Sequence, residues 1–147
     1  MKNLYSSVLL AVLLFSGCTQ DQPLPDSGGL AGTYRTNGIL DPSCVAISDD
    51  RQLPTLTIRK ESDGSYQLTR TDFIPNKRTM SLSKVQVEPK SDSLVLFYQD
   101  QKIGHVTVRT WPKFEGKKVK DTTSPVLFVN YNNPDDQAFL FYIGYRE

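Results

Sequence analysis

The side chains able to do chemistry in this 147-residue chain are few, and the densest group of them lies on one short stretch. In Ile103-Gly104-His105-Val106-Thr107-Val108-Arg109-Thr110-Trp111, extended backbone puts Ile103, His105, Thr107, Arg109 and Trp111 on one face. An imidazole, a fixed guanidinium and an indole on one face suit an anionic head group with an apolar tail, provided that face looks into a pocket. Turned the other way, the strand buries Val106 and Val108 and leaves His105 and Arg109 in water. His105 is the only histidine, so no two-histidine metal site can be assembled within the chain. Cys44 becomes a nucleophile only beside a base, for which His105 is the sole imidazole; otherwise it is a small buried apolar residue. Asp49-Asp50 and Asn132-Asn133-Pro134-Asp135-Asp136 offer carboxylates without the spacing of a Ca²⁺ loop, and the second run is turn chemistry. Lys113, Lys117, Lys118 and Lys120 gather in what reads as one loop, suited to an anionic lipid or glycan, or simply to water. No catalytic residue, metal ligand or cofactor is assigned, and the chain is not read as an enzyme.

The first twenty residues have a different character. Lys2 supplies a positive start, Val8 to Phe15 is an unbroken apolar run, and the small residues Ser16 and Gly17 follow. This is the layout of a signal peptide, and the run is shorter than the roughly 20 residues that a membrane-spanning helix needs. Phe15-Ser16-Gly17-Cys18 resembles the lipobox of bacterial lipoproteins, with Phe where Leu is usual. The resemblance implies cleavage before Cys18 and acylation of its thiol, a membrane anchor in which several acyl chains hold where one alone would not. Thr19, rather than Asp, in the second mature position resembles the enterobacterial pattern for the outer membrane. Residues 1–17 are thus expected to be removed, and 18–29 to form the lipidated cysteine and a Pro- and Gly-rich polar tether, reaching about 18 Å as a coil. Removing Lys2 with that segment leaves sixteen basic and sixteen acidic side chains. A neutral domain gives no reason to expect a nucleic-acid partner.

The elements that must position these residues are strands. Thr55-Leu56-Thr57-Ile58-Arg59 alternates apolar and polar, Ser62-Asp63-Gly64-Ser65 supplies hairpin chemistry, and Tyr66 and Leu68 resume the alternation. Further strands are expected at about Ala31–Asn37, Thr79–Glu88, Leu94–Gln99, Ile103–Trp111, Val126–Tyr131 and Ala138–Tyr145, with a bulge where the parity breaks near Ser83-Lys84. Eight antiparallel strands over residues 30–147 favour an all-β, up-and-down closed barrel, with a two-sheet β-sandwich as the alternative. Leu30-Ala31-Gly32-Thr33-Tyr34 resembles the Gly-x-Trp opening of lipocalin-like domains, with Tyr in place of Trp, and Asp41–Pro54 falls where that family carries its large first loop.

The last two strands are apolar on both faces: Val126-Leu127-Phe128-Val129 and Phe139-Leu140-Phe141-Tyr142-Ile143. Such strands need a cover on each side. A ligand inside the barrel would supply one, drawing its polar contacts from His105, Arg109 and Trp111. A partner on the outside would supply the other. Two function classes follow: an envelope lipoprotein binding a small apolar or amphipathic ligand, or an interaction or structural module that docks another envelope protein. A cavity favours the first, and a filled interior with an exposed Phe/Tyr patch favours the second.

Overall fold

The structure, a computed structural model, describes residues 29–115, 118–135 and 138–146. The expectations for residues 1–17, for Cys18 and for the tether up to residue 28 lie outside the described residues, as does Lys117. Eight strands follow in order: β1 (Gly32–Arg35), β2 (Thr55–Lys60), β3 (Tyr66–Asp72), β4 (Arg78–Lys90), β5 (Ser93–Tyr98), β6 (Gln101–Glu115), β7 (Lys118–Asn133) and β8 (Ala138–Tyr145). Each pairs antiparallel with the next, and β8 returns to β1, so the sheet closes into an up-and-down barrel rather than splitting into a sandwich. Closure leaves no full-length open edge. The seam is short, a single register pair between Arg35 and Tyr145. Among the described residues there is no α-helix; two single 3-10 turns, Pro42–Cys44 and Asp50–Gln52, interrupt the long β1–β2 connection.

The alternation read in the sequence becomes the barrel wall. Leu56 and Ile58 of β2, Leu68 of β3, Leu94 and Leu96 of β5 and Leu127 and Val129 of β7 all point into one cluster with Tyr34, Tyr131 and Tyr142. Leu56, Leu68, Leu96, Val106, Leu127 and Leu140 have no surface a water molecule can touch. A void of ligand size therefore borders none of them. Buried tyrosines place their hydroxyls on backbone: Tyr34 donates to Leu30 O at 3.1 Å, and Tyr142 to Tyr34 O at 2.7 Å.

Two bulges adjust the register. One falls at Ser83-Lys84, where the β3–β4 pairing slips between Tyr66 and Leu68 and Lys84 takes φ of 65°. Its amide donates to Glu61 Oε2 at 3.0 Å and its ammonium pairs with Asp63 at 2.5 Å, which tie the bulge to the β2–β3 hairpin. The hairpin turns at Gly64, whose φ of 87° suits a residue without a Cβ. The other bulge lies between β5 and β6, where Leu96 opposes Gly104 and Phe97 opposes Lys102. Ile103 is extra there, so Ile103 and Val106 both enter the core despite their opposite parity.

The largest departure from the sequence reading is the β6–β7 connection. Lys113, Lys118 and Lys120 do not lie in a loop; the pairing runs on through Trp111 opposite Thr122 and Lys113 opposite Lys120 to Glu115 opposite Lys118. Charged residues and Pro112 look like loop in one dimension, but this far out the ribbon has just two strands. Lys118 to Asp121 are exposed there, and a proline can turn its missing N–H to an open edge.

Candidate functional site

His105, Arg109 and Trp111 all lie on the outside of the barrel, because Val106 between them points inward and is fully buried. They are spread along β6 rather than gathered. The His105 ring stands 5.5 Å from that of Phe128, its register partner on β7. Partial burial, then the charges of Arg109 and Lys102, hold the imidazole below its ordinary pKa, so it is neutral at pH 7. Arg109 is exposed and donates from Nε to Thr107 Oγ1 at 3.0 Å. Trp111 is 5% exposed although it lies outside the barrel core. Its ring packs 4.4 Å from Tyr145, and its indole N–H donates to Ser124 Oγ at 2.9 Å. Ile103, which strict alternation places on the same face, is on the other side of the β5–β6 bulge and belongs to the core.

Cys44 is buried in the first 3-10 turn, and its thiol is pushed above its usual pKa, first by burial and then by the charge of Asp41. The groups that act on it are Asp41, Ser43 and Arg70, while those acting on His105 are Arg109, Lys102 and Asp92. The two do not form a nucleophile and base. Among the described residues no three His, Cys, Asp or Glu side chains are grouped to hold a metal ion.

Two outer features stand out instead. The first is apolar. The outward residues of β7 and β8 bring Phe128 opposite Ile143, and Phe141 sets its ring edge-on to Phe128 at 6.0 Å. Phe139, two residues along the same face, is 57% exposed. The doubly apolar character of these strands was the sequence signal for this patch, and the structure shows which side faces the core: Leu127, Val129, Leu140 and Tyr142.

The second feature is a cleft of about 460 Å³ lying over the seam where the ring closes. Arg35 and Thr36 at the end of β1, Arg51 and Leu53 of the long loop, Lys113 from the β6–β7 ribbon and Tyr145 of β8 contribute to its lining. Trp111 braces it from behind through Tyr145, and the Lys113 ammonium sits 5.3 Å from the centre of the Tyr145 ring. Nothing in the spacing of these residues announces the cleft, since it is made by separate strands and a loop that only the closed ring brings together. Comparison with protein-family models, curated protein sequences and solved structures finds no match.

Proposed function

We propose that the chain is a lipid-anchored envelope protein whose barrel works through its outer wall, docking another envelope protein on the aromatic face of β7 and β8. The observation that carries this reading is the filled interior: the inward side chains of the described residues meet in one packed cluster, and outside it the exposed Phe139 with the half-buried Phe128 and Phe141 forms an aromatic group. The other exposed large apolar residues described, Val45, Ile74 and Val119, lie elsewhere, in the β1–β2 and β3–β4 connections and at the start of β7. An apolar patch on the outside of a packed barrel is better explained by a partner than by a carried ligand. The anchor rests on Phe15-Ser16-Gly17-Cys18 and the apolar run before it, which resemble a lipoprotein signal, with the outer membrane as the proposed location. The Gly-x-Trp-like start at Gly32-Thr33-Tyr34 still resembles a lipocalin opening, yet the close packing of the described core side chains favours use of the outer wall over a carried ligand.

The test has two arms. A photo-crosslinking residue at position 139 in living cells is expected to trap one discrete protein, and one at Thr33 on β1 is not. Paired Phe128→Ser and Phe141→Ser changes should abolish the adduct; equal labelling from both positions, or none from 139, overturns docking. In the second arm, Cys18→Ala should move the chain out of the membrane fraction, and unchanged partition overturns the anchor.

A further inference from the structure

Beyond the docking face, we propose that the outer part of the β6–β7 ribbon rests on the anionic phospholipid surface of the membrane that holds the chain; this builds on the proposed anchor at Cys18. β5 pairs with β6 only as far as Thr107, and β8 pairs with β7 only from Val126 on. From Val108 opposite Pro125 to Glu115 opposite Lys118, β6 and β7 therefore pair with each other alone among the described strands. Eight register positions at about 3.3 Å each make this arm about 25 Å long. A two-stranded arm has little stability in water by itself, so a contact beyond the barrel would add to it.

Topology sets the arm on the membrane side. Strands alternate in direction around the ring, so the β6–β7 connection lies at the end of the barrel where β1 begins. The contacts agree. Arg146 donates from Nη1 to Ala31 O at 3.1 Å, just before β1, and from its backbone N to Pro125 O at 3.3 Å, at the base of the arm. The chain thus enters the barrel beside the foot of the arm. The eleven residues from Thr19 to Gly29 span about 18 Å as a coil, less than the length of the arm, so its tip is within reach of the bilayer that holds the tether.

The charge fits the same surface. From Arg109 to Asp121 the sequence carries five basic and two acidic side chains, whereas basic and acidic groups balance over the expected mature chain. Lys118, Val119 and Lys120 are exposed near the tip, Val119 at 58%, and the register sets Val119 opposite Phe114. Lysines on either side of an exposed apolar residue suit the head-group layer, where ammonium groups meet phosphate and the apolar side chain leaves water.

The test uses the full chain as bacteria process it, reconstituted into vesicles of phosphatidylcholine or of equal parts phosphatidylcholine and phosphatidylglycerol. A dye that emits further to the blue on leaving water is attached at Val119→Cys in a Cys44→Ser background. Val45→Cys is the control, because Val45 is 72% exposed in the β1–β2 connection, at the other end of the barrel. The dye at 119 should shift in the phosphatidylglycerol vesicles only, salt should reverse the shift, and the dye at 45 should not respond. Lys118→Gln with Lys120→Gln should weaken the contact about tenfold. Lys118→Arg with Lys120→Arg should keep it, which separates charge from any structural part these lysines play. Flotation with the phosphatidylcholine vesicles reads the anchor by itself, and a chain that does not float there overturns the anchor and this inference together. A chain that floats while the dye at 119 stays in water, shifts equally in both vesicles, or is unmoved by the Gln changes overturns the arm's contact and leaves the anchor standing.

Discussion

His105 shows what a single side chain's surroundings decide. Its ring lies against Phe128, half out of water, and Arg109 and Lys102 add positive charge nearby. All of these disfavour the imidazolium, so the folded pKa lies below the unfolded one. The unfolded chain therefore takes up its proton first as pH falls: the stabilisation is complete above the unfolded value near 6.5 and is lost on descending toward the folded pKa. A proton NMR titration of this one histidine should give a midpoint below the ordinary value, and Arg109→Gln should raise it; an unmoved midpoint contradicts the charge coupling. Asp63 is the opposite kind of case. Lys84 and Ser65 donate to it and hold its carboxyl well below the usual range. Its contribution is present above the unfolded value near 3.8 and fades as pH drops below it. Asp63→Asn should flatten the loss of melting temperature between pH 5 and pH 2, a shallow effect for so exposed a pair. Cys44 needs no partner to explain it: a buried thiol with a raised pKa should react with a maleimide slowly in the native protein and at once in urea.

At the level of elements, the strands whose alternation is clean were legible from the sequence. Thr55-Leu56-Thr57-Ile58 can be half-buried in just one way, and the parity break at Ser83-Lys84 marks the bulge that the structure has there. The β5–β6 bulge was not legible, because Ile103, Val106 and Val108 satisfy either parity and only the pairing of Leu96 with Gly104 selects one. Nor was the β6–β7 ribbon, where the information lies between strands. In the sequence Trp111 and Lys113 read as strand-end and loop residues, and only Tyr145, arriving from β8, gives them a shared neighbour. The candidate site suffers most from this limit: Arg35, Arg51, Lys113 and Tyr145 meet only after every strand between them is in register. The seam also has its own steric requirement. A Cβ on Gly144 would lie 2.6 Å from the carbonyl oxygen of Arg35 and 2.5 Å from the Tyr142 ring, so β1 and β8 approach there because glycine allows it. Gly144→Ala should cost about 1–3 kcal/mol by forcing those backbones apart, read as a lower urea midpoint. A neutral result would mean that the seam is looser than the register implies.

For the molecule as a whole, closure turns eight short pairings into one unit. The β1–β8 contact joins the two ends of the described chain, and its backbone register is brief, so side chains must hold the ring shut. Arg70 reaches from β3 to the Phe141 carbonyl of β8 while bound to Asp72, and Tyr142 crosses the interior to β1. Tyr142 is the more deeply placed of the two. Its hydroxyl donates to Tyr34 O at 2.7 Å, with Pro54 O at 3.4 Å, and burial, its largest influence, drives its pKa far above the ordinary tyrosine value. It therefore stays a neutral donor at any pH the protein meets. Tyr142→Phe keeps the ring's volume but leaves the Tyr34 carbonyl without that donor in a dry interior, a loss of about 1–3 kcal/mol. Because β1 can close on β8 only with the rest of the sheet in place, the loss should be felt by the entire ring. Urea unfolding followed by far-ultraviolet circular dichroism and by Trp111 emission should shift to a lower midpoint by the same amount in both signals, with the slope unchanged. Two separated transitions, with Trp111 on the β6–β7 ribbon melting before the sheet, would show instead that the ribbon and seam form a unit of their own.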